Sequence, residues 1–517
     1  MFPQIVKFTV LSYCCCVVAA SAQRIEEPVL SLQQAIDQAL ASNLGLVTER
    51  YAPANAKDQI EIEEAAFDFE LFGSTTYGKN QAAASGSRLD SADIPENENR
   101  RAGAGIDKRF ATGATVTLDS NIARSSSNNN SVRNPDYASD VGLNLRQPLM
   151  KDAGKTVNLA PIARARASAQ ESHFQFRSDV LDVLVDTEIA YWNLAFARAA
   201  HELIASNMEL AENLLEESRE RQRLGLVTPL DVLQAETELV NQQEDLILSN
   251  RAIAEAEDAL RRAMGNVSFT QALNEAILVD PLPLTAPVLR PLPTVVADTI
   301  ASDSEAKAQA QRVEVQRINK LLADDQTRPD LDLVGRLRYL GRDYNGTDSH
   351  KGALEQDGYD WRVGLEIRFP WSFREAHARA RQAERTLERS KVQLYDIKQE
   401  KALAARSAWR AVEAGRARLD VTRKALSLNE KSFEQERARY SEGLIPYRTV
   451  LEAQRDFDTA RRNQLSAMIE TKRALARLSR VDGTILARNG FNWENVDALA
   501  EPIPLDVHPL LNTLEAN

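Results

Sequence analysis

The chain has 517 residues, 43% of them apolar and only 6% aromatic, with a formal net charge of -12. A mean hydropathy of -0.38 and long tracts of Ala, Glu, Gln, Arg and Leu argue for elongated helices rather than one thick globular core, although length alone suggests about three domains. The acidic balance leaves no basic footprint for nucleic acid, and that partner is set aside.

Residues 1–22 read as a secretory signal. Lys7 is the only charged side chain, Phe8 to Ala20 is an apolar run too short to span a bilayer comfortably, and Ala20-Ser21-Ala22 offers a small-residue cleavage site. All three cysteines, Cys14, Cys15 and Cys16, fall inside it, so the mature chain is expected to have no disulfide or thiol chemistry. A lipoprotein reading fits poorly, because Tyr13 stands before Cys14 where a small residue is needed.

Leu30 to Ala66 then reads as a first helix, with Leu32, Ala35, Ile36, Ala39 and Leu40 on one face. FDFELFG (Phe67 to Gly73) alternates like a strand with one wet face. A polar loop, Asn80 to Arg100, leads to AGAGIDKRF and TGATVTLDSNI (Ala102 to Phe110 and Thr112 to Ile122), which alternate around a turn containing Gly113. A Ser/Asn-rich loop, Ser125 to Ser139, precedes VGLNLRQPL (Val141 to Leu149). Aromatics gather near strand ends, among them Phe67, Phe69, Tyr77, Tyr339, Tyr359, Trp361, Phe369 and Trp371, as in an interfacial girdle; a small soluble sheet would show the same alternation.

From Lys155 to Leu224 the only obvious breaker is Pro161, and about 70 residues of helix would reach roughly 100 Å. The helix should stop at GLVTPLDVLQA (Gly225 to Ala235). There Gly225 suits a left-handed end, Thr228 a cap, Pro229 the first turn and Asp231 the returning acid of a capping box. In the return segment Val232, Leu239, Leu246, Ile253 and Leu260 recur every seven residues, the mark of left-handed coiled packing. Such a stripe is the seam of a coiled coil, and its Glu, Gln and Arg faces also suit a wall around a wet lumen.

The same order then repeats. Five prolines between Val279 and Val296 make an extended linker. Pro293 to Gln326 matches the first helix, PDLDLVG (Pro329 to Gly335) the first strand, and VGLEIRFPW (Val363 to Trp371) the strand at Val141, at a constant offset of 222. Here only Arg342 to Tyr359 separates the strands. A second long helix, Ser372 to Glu442, ends at GLIPYRTVLEA (Gly443 to Ala453), 218 residues after its counterpart, and Ala453, Ala460, Ala467 and Ala474 repeat every seven residues. The division is therefore a signal at 1–22, a first copy at 23–265, a linker at 266–292, a second copy at 293–481 and a tail at 482–517, expected to lie against the helices or to be disordered.

Catalytic constellations are missing. His173, His201, His350, His377 and His508 are dispersed, the HELIA at His201 lacks the second His of a helix-borne zinc site, and no phosphate loop or G-x-S-x-G elbow occurs. No enzyme, cofactor or metal is expected.

Two copies of helix, strand pair, very long helix, GL-[VI]-x-x-x-x-V-L-x-A tip and return helix resemble the TolC-like outer-membrane efflux channel family, over about Leu30 to Arg480. The resemblance implies a mainly α fold with transmembrane β: a homotrimer whose strands form one outer-membrane β-barrel in lipid and whose duplicated helical hairpins form an α-barrel through the periplasm. It implies passive conduction of small molecules or polypeptides, in efflux or type I secretion, with a periplasmic adaptor and an inner-membrane pump as partners. Gly225, Leu226, Thr228, Gly443 and Leu444 would lie at adaptor-docking tips. Asp231, Tyr440 and Glu452 would form the periplasmic gate, Glu452 as an acidic ring at the constriction. The chain departs from the family at Thr449, where a companion acid is replaced, and at Ile445, where an Arg of the closing link can stand. The Ala102–Ile122 hairpin is a further departure: it makes six spanning strands per protomer rather than four, or an external elaboration. The competing reading is a secreted coiled-coil scaffold with small β caps and no pore.

Overall fold

The computed structural model describes residues 29–81, 94, 96–128, 133–265, 276–283 and 288–501. The expected signal with its cysteines, and residues 502–517 of the expected tail, lie outside the described residues.

The first copy opens with α1 (Leu32–Ser42), α2 (Leu44–Glu49) and α3 (Tyr51–Ala65), where the sequence reading expected one helix. The apolar period runs on through Asn43, but its side chain accepts from the Leu46 N–H and starts a new helix instead of continuing the old one. The second copy does the same: α7 (Leu292–Ser302) gives way to α8 (Ser304–Asp325) at Asp303, whose carboxylate caps the Ala306 N–H at 2.7 Å.

Four strands follow α3: β1 (Phe69–Gln81), β2 (Glu96–Arg109), β3 (Thr115–Ser127) and β4 (Asp136–Pro148). A short α4 (Lys155–Asn158) leads into α5 (Ala160–Arg223), and α6 (Pro229–Met264) returns. In the second copy β5 (Asp330–Asp343), α9 (Gly346–Leu354) and β6 (Gly358–Arg368) precede α10 (Arg374–Ser441) and α11 (Tyr447–Val481). The segment Arg342 to Tyr359, read as a loop, thus contains the helix α9. Two short helices, α12 (Ile485–Arg488) and α13 (Trp493–Ala498), pack the tail against α5.

The strands form one antiparallel sheet in chain order, β1 to β6. The register puts Leu71, Ile106, Leu118, Leu143, Leu337 and Trp361 on a single transverse row, because each is the direct partner of the next. Side chains alternate across a strand, so the opposite face carries Asp107, Thr117, Asp119, Asn121, Asp140, Asn144 and Arg146. These polar groups bond one another: Asn144 donates to Asp119 at 2.8 Å, Asn121 to Asp119 at 2.6 Å and Arg146 to Asp332 at 2.6 Å. A Cβ at Gly103 would collide with Asn121, and one at Gly105 with Phe72, so this face is interlocked as well as polar. A slip of one residue would put every charge on the apolar side.

Below the sheet, α5 and α10 run the whole length of the helical part, about 96 and 102 Å for 64 and 68 residues. Next to the sheet α3 packs on α5, and α8 lies between α5 and α10; farther away α6 packs on α5, and α11 takes the place between α5 and α10. The wall is therefore four helices wide at each level. Gly415 of α10 admits α11 closely, since a Cβ there would press on Thr471 Oγ1. Among the described residues, no helix is long and apolar enough to cross a membrane.

The core sits where the helix pairs meet. Ile36, Leu40 and Leu46 pack with Phe176, Val180 and Leu184 of α5 and with Ile485, Leu486 and Val496 of the tail. Alongside, Ala35, Tyr191, Leu194, Leu260 and Met264 form a second cluster. The linker threads this girdle: the Leu30 N–H donates to the Leu278 carbonyl at 2.8 Å, and the Asp280 N–H donates to the Tyr191 hydroxyl at 3.0 Å. At the end of α6, Gly265 sits at φ +71°, and an added Cβ would run into the Ser42 carbonyl. Positive φ and a backbone neighbour both demand glycine there. Gly265→Ala is expected to destabilise the fold by roughly 2 kcal/mol or more; an unchanged thermal midpoint would show that α6 and α1 can separate freely.

Candidate functional site

The end of the helical wall far from the sheet is made by two tight turns. In the first, Gly225 takes φ +73°; its N–H bonds to the Gln222 carbonyl and that of Leu226 to the Arg221 carbonyl, both at 2.9 Å. These two bonds satisfy carbonyls that the ended helix would otherwise leave open. Thr228 then caps α6, and Asp231 answers with a carboxylate 2.8 Å from the Thr228 N–H and 2.7 Å from its hydroxyl. In the second tip Gly443 takes φ +74°, and Leu444 N–H reaches the Arg439 carbonyl at 3.0 Å. Pro446 precedes α11 with no side-chain cap. Neither tip glycine has anything within 4 Å of an added Cβ, and Leu226 and Leu444 are both 69% exposed.

Behind the turns the two hairpins are locked together. Tyr440, Tyr447, Val450 and Leu451 are buried with Leu214, Leu215, Ala235 and Phe433. Arg221, in the last turn of α5, stacks 4.2 Å over the Tyr440 ring and donates to the Tyr440 carbonyl at 3.1 Å. A cation thus closes the carbonyl end of α10, where the helix dipole favours it. Sequence reading passed over Arg221, whose only signal is its place three residues before a helix end. Burial raises the pKa of Tyr440 and pushes that of Tyr447 up to about 12. Tyr440 therefore meets α5 through Arg221, while the hydrogen bonds of the Asp231 carboxylate, among the described residues, close its own capping box. Glu452 is exposed and accepts from Arg448 Nε at 2.9 Å one turn earlier. The acid that resemblance puts at the constriction carries a base beside it.

One helical layer above lies a buried polar cluster. Asn207 of α5, Glu238 and Gln242 of α6, and Gln454 and Asp458 of α11 are all shielded from water. Gln242 donates to Glu238 at 2.9 Å, and Arg455 pairs with the other Glu238 oxygen at 2.9 Å. Burial pushes the Asp458 carboxyl up to about 6; Arg462 and Arg461 pull it down, and Glu238 adds to the rise. Asp458 had no signal of its own in the sequence, being one acid among many on a polar helix.

A polar-and-apolar sheet, a long wall of paired helices and closed turns at the far end are the parts of a tubular channel subunit. A model described as outer membrane efflux protein matches residues 111–266 and 295–484, one stretch in each copy, and the chain belongs to that family. No curated protein matches it in sequence. Among solved structures, it resembles the CmeC outer membrane channel of Campylobacter jejuni, with TM-score 0.67 and 15% identity over 92% of this chain and 90% of that one. The outer membrane protein VceC of Vibrio cholerae gives 0.64 and 16%, over 87% and 96%. The open state of the MtrE outer membrane channel of Neisseria gonorrhoeae gives 0.58 and 17%, over 87% and 88%. The chain is thus an exit duct for efflux in the outer membrane, its helices extending into the periplasm.

Burial holds the Asp458 carboxyl at about 6, above its ordinary 3.8. The folded chain holds a proton that the unfolded chain releases, so stability is greatest below about pH 4 on this group's account and falls as pH rises through about 6. Asp458→Asn is expected to stabilise the chain more at pH 7.5 than at pH 4.5, by on the order of 2 kcal/mol, read as a larger rise in the thermal midpoint. Calorimetry at both pH values checks this, and equal shifts at the two would place the carboxyl in water.

Proposed function

We propose that three copies of the chain close into one tube and that this homotrimer is the passive outer-membrane duct of a pump and adaptor assembly, exporting small molecules or polypeptides. The observation that carries the reading is where exposed apolar side chains lie. On the long helices, large exposed apolar residues occur on α6 (Leu233, Val240, Ile247) and α10 (Val392, Tyr395, Val421, Leu428), whereas α5, α8 and α11 have none among the described residues. The outer helices are thus the apolar ones. Leu233, Val240 and Ile247 form a second seven-residue row beside the buried one, as expected of a helix with coiled partners on two sides. β1 and β6 are free edges in the same sense, and lipid cannot satisfy an open edge. A head-to-tail contact that closes as a ring covers α10 with the next chain's α3 and α6, and β6 with its β1.

The tips support the rest. Gly225, Leu226, Thr228, Gly443 and Leu444 combine open space with exposed apolar surface, which suits docking of adaptor hairpins. Asp231, Tyr440 and Glu452 lie just behind them and are assigned to the gate, with Arg221 as the residue that holds Tyr440. The chain itself needs no catalytic group for this work. On this reading residues 1–22 are a leader, 23–265 and 293–481 the two copies, 266–292 the link and 482–517 the tail, whose residues 485–500 brace the girdle.

Light scattering of the detergent-purified protein is expected to give three chains per particle and planar bilayers small cation-preferring steps. A stable monomer would end the ring reading. Glu452→Lys should shift the reversal potential toward anions; an unaltered potential would take Glu452 out of the constriction. Gly225→Asp and Gly443→Asp should lower export severalfold with trimers intact, and full export by both would move adaptor docking elsewhere.

A further inference from the structure

We infer that the β2–β3 hairpin is part of the membrane wall, so that the barrel of the three-chain duct proposed above has eighteen strands, six from each chain. The contrasting arrangement is a wall of four strands per chain with the hairpin lying outside over the mouth. Three features decide between them.

The first is where the hairpin's turn lies. An external flap would turn back near the loops, but the β2–β3 turn reaches the helical end of the sheet. There Arg109 Nη2 donates to Asn158 Oδ1 of α4 at 3.0 Å, and the Gly154 N–H donates to the Thr112 carbonyl at 3.0 Å. The hairpin therefore runs the full height of the sheet, from the outer loops to the head of α5.

The second is how it pairs. β2 bonds β1 from Phe69–Lys108 to Gln81–Glu96, and β3 bonds β4 from Thr115–Arg146 to Ser125–Asp136. Among the described residues the hairpin fills the sheet between β1 and β4, which do not pair with each other.

The third is the chemistry of its two faces. Ile106, Leu118 and Ile122 continue the apolar face of β4 to β6, while Asp107, Asp119 and Asn121 continue the polar one. The apolar stretch ends at both levels with cationic and aromatic residues. Tyr77, Arg100, Arg124 and Tyr137 are successive partners in one row at the loop end, and Lys108 stands over the Phe69 ring at the helical end. Eight residues separate Lys108 from Arg100, about 26 Å along the strand, which suits the hydrocarbon thickness crossed by a tilted barrel strand. Charges at both ends with none between are what a lipid face needs and a water-exposed flap does not. At the loop end α9 lies on this face, with Gly346 against Ile122 and Ser349 bonded to Ser139; from there to Lys108 the occupant is lipid hydrocarbon, continuous with that around β6.

The consequence is a wide mouth. Barrel diameter grows roughly linearly with strand number, so this mouth is about one and a half times as wide as a twelve-strand one. Passage is then limited at the tips and not at the exit, and the inner wall is lined by paired charges.

Single cysteines at Leu118, Asn121 and Leu365, in a chain lacking Cys14, Cys15 and Cys16, carry an environment-sensitive fluorophore in the assembled protein in vesicles. Nitroxide lipids and aqueous iodide then report each site. Leu118 and Leu365 are expected to be quenched by the lipid probe, and Asn121 by iodide alone. If Leu365 is quenched by lipid and Leu118 by iodide, the hairpin is outside the membrane and the inference fails while the barrel stands. If Leu365 also answers only to iodide, the barrel reading fails and takes the inference with it. Each single-cysteine variant is first shown by light scattering to assemble as the parent chain does, so that a misfolded variant is recognised before its quenching is read.

Discussion

Backbone N–H and C=O groups at the edge of a sheet must bond to something, and hydrocarbon offers nothing. Much of this molecule follows from that requirement. The strands keep strict register so that one face remains apolar and the other can bond its own charges. Each chain ends its sheet at β1 and β6 without covering them, and ends its helical wall on the apolar rows of α6 and α10. Sheet and helices are incomplete in the same direction, so the ring closure proposed above would satisfy both at once.

The helical wall meets the opposite problem, being wet on two sides. A four-helix-wide layer has little interior to bury, and its stability comes from narrow seams: the seven-residue rows, the close approach at Gly415 and the girdle that joins α1, α5, α6 and the tail. Where the seams cross near the tips, polar groups are drawn inside with them. Asp458 and its neighbours are shielded because the helices are crowded there, and its carboxyl holds its proton at higher pH than an exposed one. Family membership and geometry are independent here. The matched stretches lie in both copies, and the copies build the two halves of one wall.

What could be read in the residues was what local chemistry punctuates. Glycine, threonine and proline at Gly225, Thr228 and Pro229 announce a stop and a start, and the structure forms both by the expected bonds. The strand pair repeated at an offset of 222 was equally plain, because a half-buried strand has a period of two. The misses have physical reasons too. The helix read as continuous from Leu30 breaks at Asn43 because a cap side chain competes with the helix while the apolar period runs on undisturbed. β1 and β2 extend into Asn80–Arg100, where alternation fades because both faces of the strands carry polar residues. Arg221 was invisible because its partner is a backbone carbonyl 219 residues away.

The length of α5 has a mechanical meaning. From the girdle at Val185 to Arg223 the helix extends on the order of 60 Å at 1.5 Å per residue. It is a lever with its fulcrum at the core and its load at the tip. Rotation by one degree at the fulcrum moves the tip by about 1 Å, so the gate proposed at the tips would widen by several ångströms through small tilts of an unbroken helix.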